Sequence, residues 1–166
     1  MAAKRDNELI DTVTNGRKIM NTCTSRLDYM IERLKENEFR ITPQRIAIVE
    51  ILANSYDHPG VDQIYREVTK KFPTTSLATV YKTVTLLKEL GEVMEMGFGN
   101  ESNRYDGRNP HPHPHIMCMK CKSITDPELS SLNEVSKELS EETGYKILSH
   151  RLDFFGVCPV CQKIQE

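Results

Sequence analysis

Apolar residues recur every three or four positions in four segments of the first half of the chain, a period that predicts amphipathic helices. The first segment follows the capping box Ser25-x-x-Asp28, and the second begins with Thr42 as cap and Pro43 in the first helical position. A break at 58–60 separates the second segment from the third. The predicted apolar stripes comprise Leu27, Met30, Ile31 and Leu34; Ile46, Val49 and Leu52; Val61, Ile64, Tyr65 and Val68; and Leu77, Val80, Tyr81, Val84, Leu87 and Leu90.

Gly91 is well placed as the C-terminal cap of the fourth helix, and a β-hairpin is predicted after it. Its strands are Val93–Met96 and Asn103–Asp106, and residues 97–100 form the turn. Helices followed by a two-stranded wing make a winged helix-turn-helix, in which the fourth helix takes the recognition position. The exposed face of that helix would offer four side chains to DNA: Ser76, Thr79, Tyr81 and Lys82.

A second, smaller unit follows the Pro- and Gly-rich segment 107–114, which has the composition of a hinge. Short strands are predicted at Ile116–Cys118 and Ser123–Thr125, then a helix from about Glu128 to Thr143 closed by Gly144, then a strand at Tyr145–Phe154. A β-β-α-β unit of this size buries little apolar surface, and metal binding or dimerisation usually stabilises such units.

The pattern therefore predicts an α+β protein with a winged helix-turn-helix domain and a small α/β dimerisation domain. The expected boundaries are an N-terminal arm at 1–23, the winged helix at 24–106, the hinge at 107–114 and the dimerisation and metal-binding domain at 115–166.

Composition indicates a protein that acts in the cytoplasm. The 166 residues include 28% charged residues, and no apolar stretch approaches the roughly 20 residues of a membrane span. The first residues lack the apolar core of a secretory signal. The net charge of −2 does not suggest a strongly basic nucleic-acid binder, although residues 1–91 carry 14 Lys and Arg against 12 Asp and Glu. This balance permits DNA binding by the first half without requiring it.

Four of the five cysteines form two close pairs, Cys118-x-x-Cys121 and Cys158-x-x-Cys161, with 36 residues between the pairs. Two such pairs supply the four thiolates of a closed tetrahedral Zn²⁺ site. Free buried thiols or a redox-active pair are the alternatives. We predict a structural zinc ion that joins the two ends of the second unit, and a free thiol at Cys23 in the N-terminal arm.

Histidines and aspartates form a second candidate site: His58, Asp106, His113, His115 and Asp126. Carboxylates with imidazoles suit Fe²⁺, Mn²⁺ or Zn²⁺. Each residue alone has an ordinary explanation, such as a turn aspartate or a histidine of a flexible segment. His111 is predicted to be a solvated linker residue, and His150 a strand residue with a smaller claim to be an accessory ligand.

Nine segments together resemble the ferric uptake regulator family across residues 25–163. They are RITPQR (40–45), HP (58–59), DQIY (62–65), FP (72–73), SLATVYKTV (76–84), RYDG (104–107), HPHIMCMKC (113–121), GYKILSHRL (144–152) and FGVCPVC (155–161). The resemblance implies a metal-dependent repressor that binds palindromic double-stranded DNA operators as a homodimer. It also implies that the five histidine and aspartate residues hold a regulatory Fe²⁺ or Mn²⁺.

Within that family, three features resemble the members that sense peroxide. Asp126 stands where iron-uptake regulators typically have Glu, Pro114 stands where they often have Asp, and His58 is a single histidine where they often have two. The implied mechanism is sacrificial, because Fe²⁺ reduces H₂O₂ and an oxygen atom enters the ring of His58 or His113. The alternative within the family is a repressor that senses the availability of iron or zinc.

The resemblance also implies DNA contacts. Tyr81 would meet thymine methyl groups, although its spacing from Leu77 also fits a core tyrosine. Lys82 departs from the pattern of peroxide sensors, which often have Asn there. Arg40 precedes the second helix, where a basic residue can enter the minor groove.

Two hypotheses from other classes remain. Two histidines and a carboxylate also form the iron site of non-haem oxygenases, but five protein ligands would leave little room for a substrate. A zinc-containing protein-interaction module would not explain the wing or the fourth helix. We therefore expect no enzymatic turnover, and no small-molecule ligand besides metal ions and peroxide.

Overall fold

The computed structural model describes residues 25–97, 102–129 and 131–164. The first part contains helices α1 (Arg26–Glu36), α2 (Pro43–Asn54), α3 (Val61–Lys71) and α4 (Leu77–Glu89), then strands β1 (Met94–Met96) and β2 (Arg104–Asp106). The second part contains β3 (Pro114–Cys118), β4 (Ile124–Thr125), α5 (Leu132–Thr143), β5 (Leu152–Gly156) and α6 (Pro159–Lys163). No helix within the described ranges is both long and apolar enough to cross a membrane. The predicted arm and Cys23 lie outside these ranges.

The predicted helix ends are confirmed by their hydrogen bonds. The Ser25 hydroxyl accepts from the backbone N–H of Asp28 at 3.1 Å, and that of Thr42 accepts from the N–H of Arg45 at 3.2 Å. Gly91 and Gly144 follow α4 and α5 with φ of 71° and 72°, the left-handed conformation that glycine adopts without steric cost. Local sequence therefore determines where these helices begin and end.

The four helices enclose the main hydrophobic core. Most of its buried residues come from the predicted stripes, with Val93 and Tyr105 added from the wing; they include Met30, Leu34, Val49, Leu52, Ile64, Val68, Val80, Val84 and Leu87. The stripes of α2 and α4 are wrong in part, because Ile48 is fully buried while Ile46 is only half-buried, and Leu77 and Tyr81 are exposed. The second core cluster contains Met96 of β1 together with Met117 and Ile124 of the C-terminal part. Among the described residues, few apolar side chains are therefore buried in that part.

The wing is bonded to the loop between α2 and α3. β1 and β2 pair antiparallel, with Met94 opposite Asp106. Gly60 forms an isolated antiparallel bridge with Arg104, and the N–H of Tyr105 donates to the carbonyl of Pro59 at 3.2 Å. These bonds hold His58, which lies just before this stretch, beside Asp106 at the end of β2.

The C-terminal sheet has the strand order β4-β3-β5, with β4 antiparallel and β5 parallel to β3. The predicted strand at Tyr145–Phe154 is wrong in its first part, because regular structure begins only at Leu152 and runs to Gly156. Its partner β3 starts at Pro114, which is paired with Leu152. Continued in this register, the ladder would meet Pro112 and Pro110, which lack the N–H groups that it needs, and residues 145–151 form no strand.

Two other elements differ from the sequence prediction. The helix expected from about Glu128 begins at Leu132, and Ser131 before it makes no capping hydrogen bond through its side chain. The short helix α6 was not predicted. The Cys158 sulfur accepts from the N–H of Cys161 at its start, and Pro159 takes the first helical position.

Helix α1 is bonded to residues on both sides of the wing, Glu92 before it and Gly107 after it. The guanidinium of Arg26 donates to the Gly107 carbonyl, to the Glu92 carbonyl and to the Glu92 carboxylate, each at 2.8 Å. Arg33 also donates to Glu92, at 2.9 Å, and the Glu92 side chain is only 6% exposed. This network fixes the point at which the chain leaves β2, one residue after Asp106.

Gly107 also packs tightly against α2. A Cβ atom added there would lie 2.8 Å from the Leu52 Cβ and 3.0 Å from the Leu52 carbonyl oxygen. We expect Gly107→Ala to lower the free energy of unfolding by about 1–3 kcal/mol, since backbone atoms must move to accept the methyl group. Chemical denaturation would measure this. Gly156→Ala is the matched control, because nothing lies within 4 Å of its added Cβ. Equal stability of the two variants would contradict the prediction.

Candidate metal centres

The four paired cysteines lie together at the end of the C-terminal sheet. Cys118 ends β3, Cys121 is in the turn that follows, Cys158 precedes α6 and Cys161 lies within it. Their sulfur atoms all lie within 4.8 Å of one another, and those of Cys121 and Cys158 are 3.8 Å apart. Zn–S bonds of about 2.3 Å in a tetrahedron place sulfur atoms about 3.8 Å apart. The arrangement fits a closed zinc site.

Hydrogen bonds in this cluster favour negative charge on one sulfur and oppose it on another. Backbone N–H groups of Cys158 and Cys121 donate to the Cys118 sulfur and lower its pKa to about 6. The neighbouring Cys158 and Cys121 side chains and burial raise the pKa of Cys161 to about 12. Four thiolates at this distance therefore need a cation, and a divalent ion that accepts sulfur ligands supplies it.

The second set of predicted ligands comes from five separate places in the fold. His58 lies in the loop between α2 and α3, Asp106 ends β2, His113 precedes β3, His115 lies in β3, and Asp126 follows β4. Ligand atoms of the first four all lie within 4.8 Å of one another. The structure thus brings residues of the winged helix and residues of the C-terminal sheet into one cluster.

Asp126 completes this cluster from its solvent-facing side. Its carboxylate oxygens lie 3.2 Å from the Nε2 of His58, 3.7 Å from that of His113 and 3.9 Å from that of His115. Adjacent ligands around a metal ion with bonds of about 2.1 Å are roughly 3 Å apart. The cluster therefore has nearly the spacing of a coordination shell. The Asp126 side chain is 32% exposed, whereas those of His58 and His115 are 2% exposed.

The two oxygens of Asp106 have different environments. Oδ1 accepts from the backbone N–H groups of Arg108 and Asn109, at 2.8 and 2.9 Å. Oδ2 is buried, has no hydrogen-bond partner among the described residues, and lies 3.6 Å from His58 Nε2 and 3.4 Å from His113 Nε2. Burial raises the pKa of Asp106, but the nearby His58 ring and the two backbone N–H groups outweigh it, and the pKa falls below its usual value. Asp106 is therefore a carboxylate with one oxygen free to bind a cation.

Two of the histidines are prepared to act as neutral ligands. The Nδ1 of His113 lies 2.8 Å from the carbonyl oxygen of His111, which only accepts, so Nδ1 carries the proton and Nε2 presents a lone pair. Burial and the neighbouring His113 lower the pKa of His115, although Asp126 acts in the opposite direction. A depressed pKa favours the unprotonated imidazole that binds metal.

Unpaired polar atoms are the main sign that the cluster suits a metal ion. Among the described residues, the buried atoms without hydrogen-bond partners include Asp106 Oδ2, His113 Nε2 and His115 Nε2. Leaving such groups unpaired costs about 1–3 kcal/mol each. A cation bound between them would satisfy all three. His58 adopts φ of 49°, which is uncommon for a residue other than glycine and points to a functional constraint.

An open cavity of about 690 Å³ adjoins the cluster. His113, Asp126 and Glu128 line it, together with His150, whose buried Nε2 has no hydrogen-bond partner among the described residues. His150 lies just before β5 rather than within it. His111 is exposed, and its carbonyl, not its ring, accepts the bond from His113.

The residues predicted to contact DNA lie on or near the surface. Tyr81 is 51% exposed on α4 and is therefore not a core tyrosine in this chain. Lys82 and Arg40 are exposed too. The hydroxyl of Ser76 caps α4 by accepting from the N–H of Thr79 at 3.2 Å, and it lies 2.9 Å from the Thr79 hydroxyl. Those two side chains thus also stabilise the start of the recognition helix.

Sequence reasoning missed Asp153, which lies beside His115 on the opposite face from Asp126. The two residues are paired in register between β3 and β5, and His115 Nδ1 is 3.7 Å from Asp153 Oδ1. Only the register of the parallel strands brings them together, and no local motif signals that register.

Comparison with known proteins identifies the family. The model of the "Ferric uptake regulator family" matches residues 36–155. The "Peroxide operon regulator" of Bacillus subtilis (strain 168) is 43% identical over 133 residues, which cover 80% of this chain and 91% of that protein. The "Peroxide-responsive repressor PerR" of Staphylococcus aureus (strain Mu50) is 38% identical over 136 residues, which cover 82% of this chain and 91% of that protein.

A solved structure agrees with this assignment. The peroxide stress regulator of Campylobacter jejuni has a TM-score of 0.65 to this chain and 33% identity, and the match covers 79% of this chain and 98% of that one. The predicted α+β fold, a winged helix followed by a small α/β unit with four clustered cysteines, is thereby confirmed. This chain belongs to the ferric uptake regulator family.

Proposed function

We propose that this protein is a cytoplasmic, metal-dependent transcriptional repressor that binds a palindromic operator as a homodimer and loses DNA affinity when hydrogen peroxide oxidises its regulatory site. The observation that carries the proposal is the cluster of His58, Asp106, His113, His115 and Asp126, which joins the winged helix to the C-terminal sheet. The named relatives support the peroxide assignment, since they are peroxide regulators.

The cluster would couple metal binding to DNA binding through geometry. His58 and Asp106 belong to the winged helix that we propose for residues 24–106, and the other three ligands lie within or beyond the hinge at 107–114. Ligation of Fe²⁺ or Mn²⁺ by all five residues would hold the two parts at one angle. In a dimer that angle sets the distance between two recognition helices, which must match half-sites about one helical turn apart.

The C-terminal part, residues 115–166, would form the dimer around the structural zinc ion. Its surface exposes large apolar side chains, with Ile116 at 40% and Phe154 at 44% on neighbouring strands and Leu139 at 46% on α5. Apolar surface of this kind usually marks an interface. Each copy would then present α4 to the DNA, with Tyr81 and Lys82 facing base edges and phosphates. Ser76 and Thr79 would make further contacts from the start of α4, and Arg40 would do so from the segment before α2.

The histidines would serve as both ligands and oxidation targets. An Fe²⁺ ion held by the cluster would supply the redox chemistry by which H₂O₂ transfers one oxygen atom to an imidazole carbon, while the other oxygen leaves as water. His58 and His113 would each be able to take up one oxygen on the imidazole, which weakens that ring as a ligand. The cavity beside His113 and Asp126 gives a small oxidant a route to the cluster. The reaction would consume the ligand and is therefore not catalytic turnover.

The test combines mass spectrometry with DNA binding. Protein that retains its structural zinc is loaded with Fe²⁺ without oxygen, and one equivalent of H₂O₂ is added. We expect one added oxygen on the peptide of His58 or His113, and a loss of affinity for a duplex selected from random DNA by the Mn²⁺-loaded protein. The Mn²⁺ form, treated identically, is the control and should keep both its mass and its affinity.

Unmodified histidines with intact DNA binding in the Fe²⁺ form would refute peroxide sensing. The protein would then be a repressor that senses the availability of iron or zinc. Oxygen found only on methionine peptides, with DNA binding retained, would count against the proposal equally, because it would show oxidation away from the site.

A further inference from the structure

A third carboxylate lies behind the proposed regulatory site, on the side of His115 away from Asp126. Asp153 Oδ1 is 3.7 Å from His115 Nδ1, about 0.8 Å beyond a normal N–H···O hydrogen bond. Both atoms are buried, and neither has a hydrogen-bond partner among the described residues. A small closure of this gap would satisfy both atoms at once.

The other oxygen of Asp153 is already engaged. Arg151 Nε donates to Asp153 Oδ2 at 2.5 Å, and the same guanidinium donates to the carbonyl of Gly97 at 2.7 Å, at the end of the wing strand β1. The carboxylate is therefore held in place with Oδ1 directed at His115. An exposed Arg–Asp pair alone contributes little stability and would not explain why Oδ1 is buried without a partner.

His115 differs from His113 in how its proton is placed. The backbone carbonyl of His111 accepts from His113 Nδ1 and leaves Nε2 for the metal. His115 has no such carbonyl partner among the described residues, and its Nδ1 faces Asp153 instead. Ligating histidines usually donate their second N–H to a carboxylate or carbonyl, which fixes the tautomer and strengthens the ligand.

We infer that Asp153 is a positioning residue for the regulatory metal: it accepts the Nδ1–H of His115 and so directs the Nε2 lone pair at the cation, while Arg151 holds the carboxylate in place. The inference rests on the proposed metal site and extends it to a residue outside the five ligands. It makes the orientation of His115, a ligand as deeply buried as His58 and Asp106, depend on β5.

The first test is metal affinity. Mn²⁺ binding to zinc-retaining protein is titrated by the electron paramagnetic resonance signal of free Mn²⁺. We expect Asp153→Ala to weaken Mn²⁺ binding roughly 10- to 100-fold, the usual effect of removing such a partner. Asp153→Asn keeps an acceptor oxygen and should recover part of the loss. Glu141→Gln is the control, since it removes an exposed carboxylate on α5.

The second test reads the His115 ring directly and needs no regulatory metal. Long-range ¹H–¹⁵N spectra of the zinc-retaining protein at neutral pH distinguish the two histidine tautomers. The wild-type His115 ring should be in the Nδ1–H form, and Asp153→Ala should lose that single form while His113 keeps it. An unchanged His115 spectrum in Asp153→Ala would overturn the inference.

The failure of the inference and the failure of the proposed function give different results. If the wild-type protein binds no Mn²⁺ beyond its zinc, the proposed regulatory site is wrong. If the wild type binds Mn²⁺ and Asp153→Ala binds it equally well, the site stands and only the role of Asp153 is refuted. Full zinc content in each variant excludes misfolding as the cause of a weakened site.

Discussion

Replacing Cys158 with serine is expected to unfold the C-terminal unit and to dissociate the dimer. Cys158 is central to the cysteine cluster, because its sulfur lies 3.8 Å from that of Cys121 and its N–H donates to the sulfur of Cys118. Binding of a structural zinc ion contributes on the order of 10 kcal/mol or more to folding in small zinc domains. The core formed by Met96, Met117 and Ile124 is too small to replace that contribution.

Zinc content is measured by elemental mass spectrometry, thermal unfolding by circular dichroism, and molar mass by light scattering. Cys158→Ser should bind less than one zinc per chain and lose the unfolding transition of the C-terminal unit. Cys23→Ser is the matched control, since Cys23 is the one cysteine outside the two pairs. A Cys158→Ser protein with full zinc, unchanged melting and dimeric mass would contradict the prediction.

The winged helix could be predicted in detail because its signals are local. The period of the apolar residues gives the four helices, and the hydroxyls of Ser25 and Thr42 give two of their starts. Gly91 and Gly144 end helices because few other residues adopt their positive φ without cost. Each of these features depends on a few neighbouring residues.

The C-terminal sheet could be predicted less well because its extent depends on pairing. The register that pairs Pro114 with Leu152 would place Pro110 and Pro112 opposite residues 148 and 150, where they cannot donate to a ladder. The start of α5 at Leu132 has no local signal either, because the Ser131 side chain makes no capping hydrogen bond.

The candidate site was predicted in its membership but not in its geometry. The five residues were selected by their types and by the resemblance to a family, and the structure brings them together. The positive φ of His58, the free oxygen of Asp106 and the nearness of Asp153 depend on the wing pairing and the sheet register. A single sequence does not specify how the wing pairs or in which register the parallel strands lie.

His58→Ala is expected to abolish the response of DNA binding to Mn²⁺. His58 is the ligand that the loop between α2 and α3 contributes, and its Nε2 lies 3.2 Å from Asp126 and 3.6 Å from Asp106. Without it, Asp106 is the one proposed ligand left in the winged helix, so a bound cation holds the winged helix to the C-terminal sheet much less firmly. The Mn²⁺ affinity should fall by more than the roughly 10- to 100-fold expected for an outer partner. The Mn²⁺-dependent gain in operator affinity, typically about 5- to 150-fold for such coupling, should fall to about 1.

The experiment measures operator binding by fluorescence anisotropy with and without Mn²⁺ in zinc-retaining protein. His58→Asn is a necessary second variant, because asparagine accepts a positive φ more readily than alanine does. If both variants keep full zinc and normal melting but lose the Mn²⁺ response, the effect belongs to the lost imidazole and not to the backbone. His111→Ala, at an exposed position outside the cluster, should respond like the wild type. A His58→Ala protein with a full Mn²⁺ response would show that the metal does not act through this loop, since no other histidine of the α2–α3 loop is available to replace it.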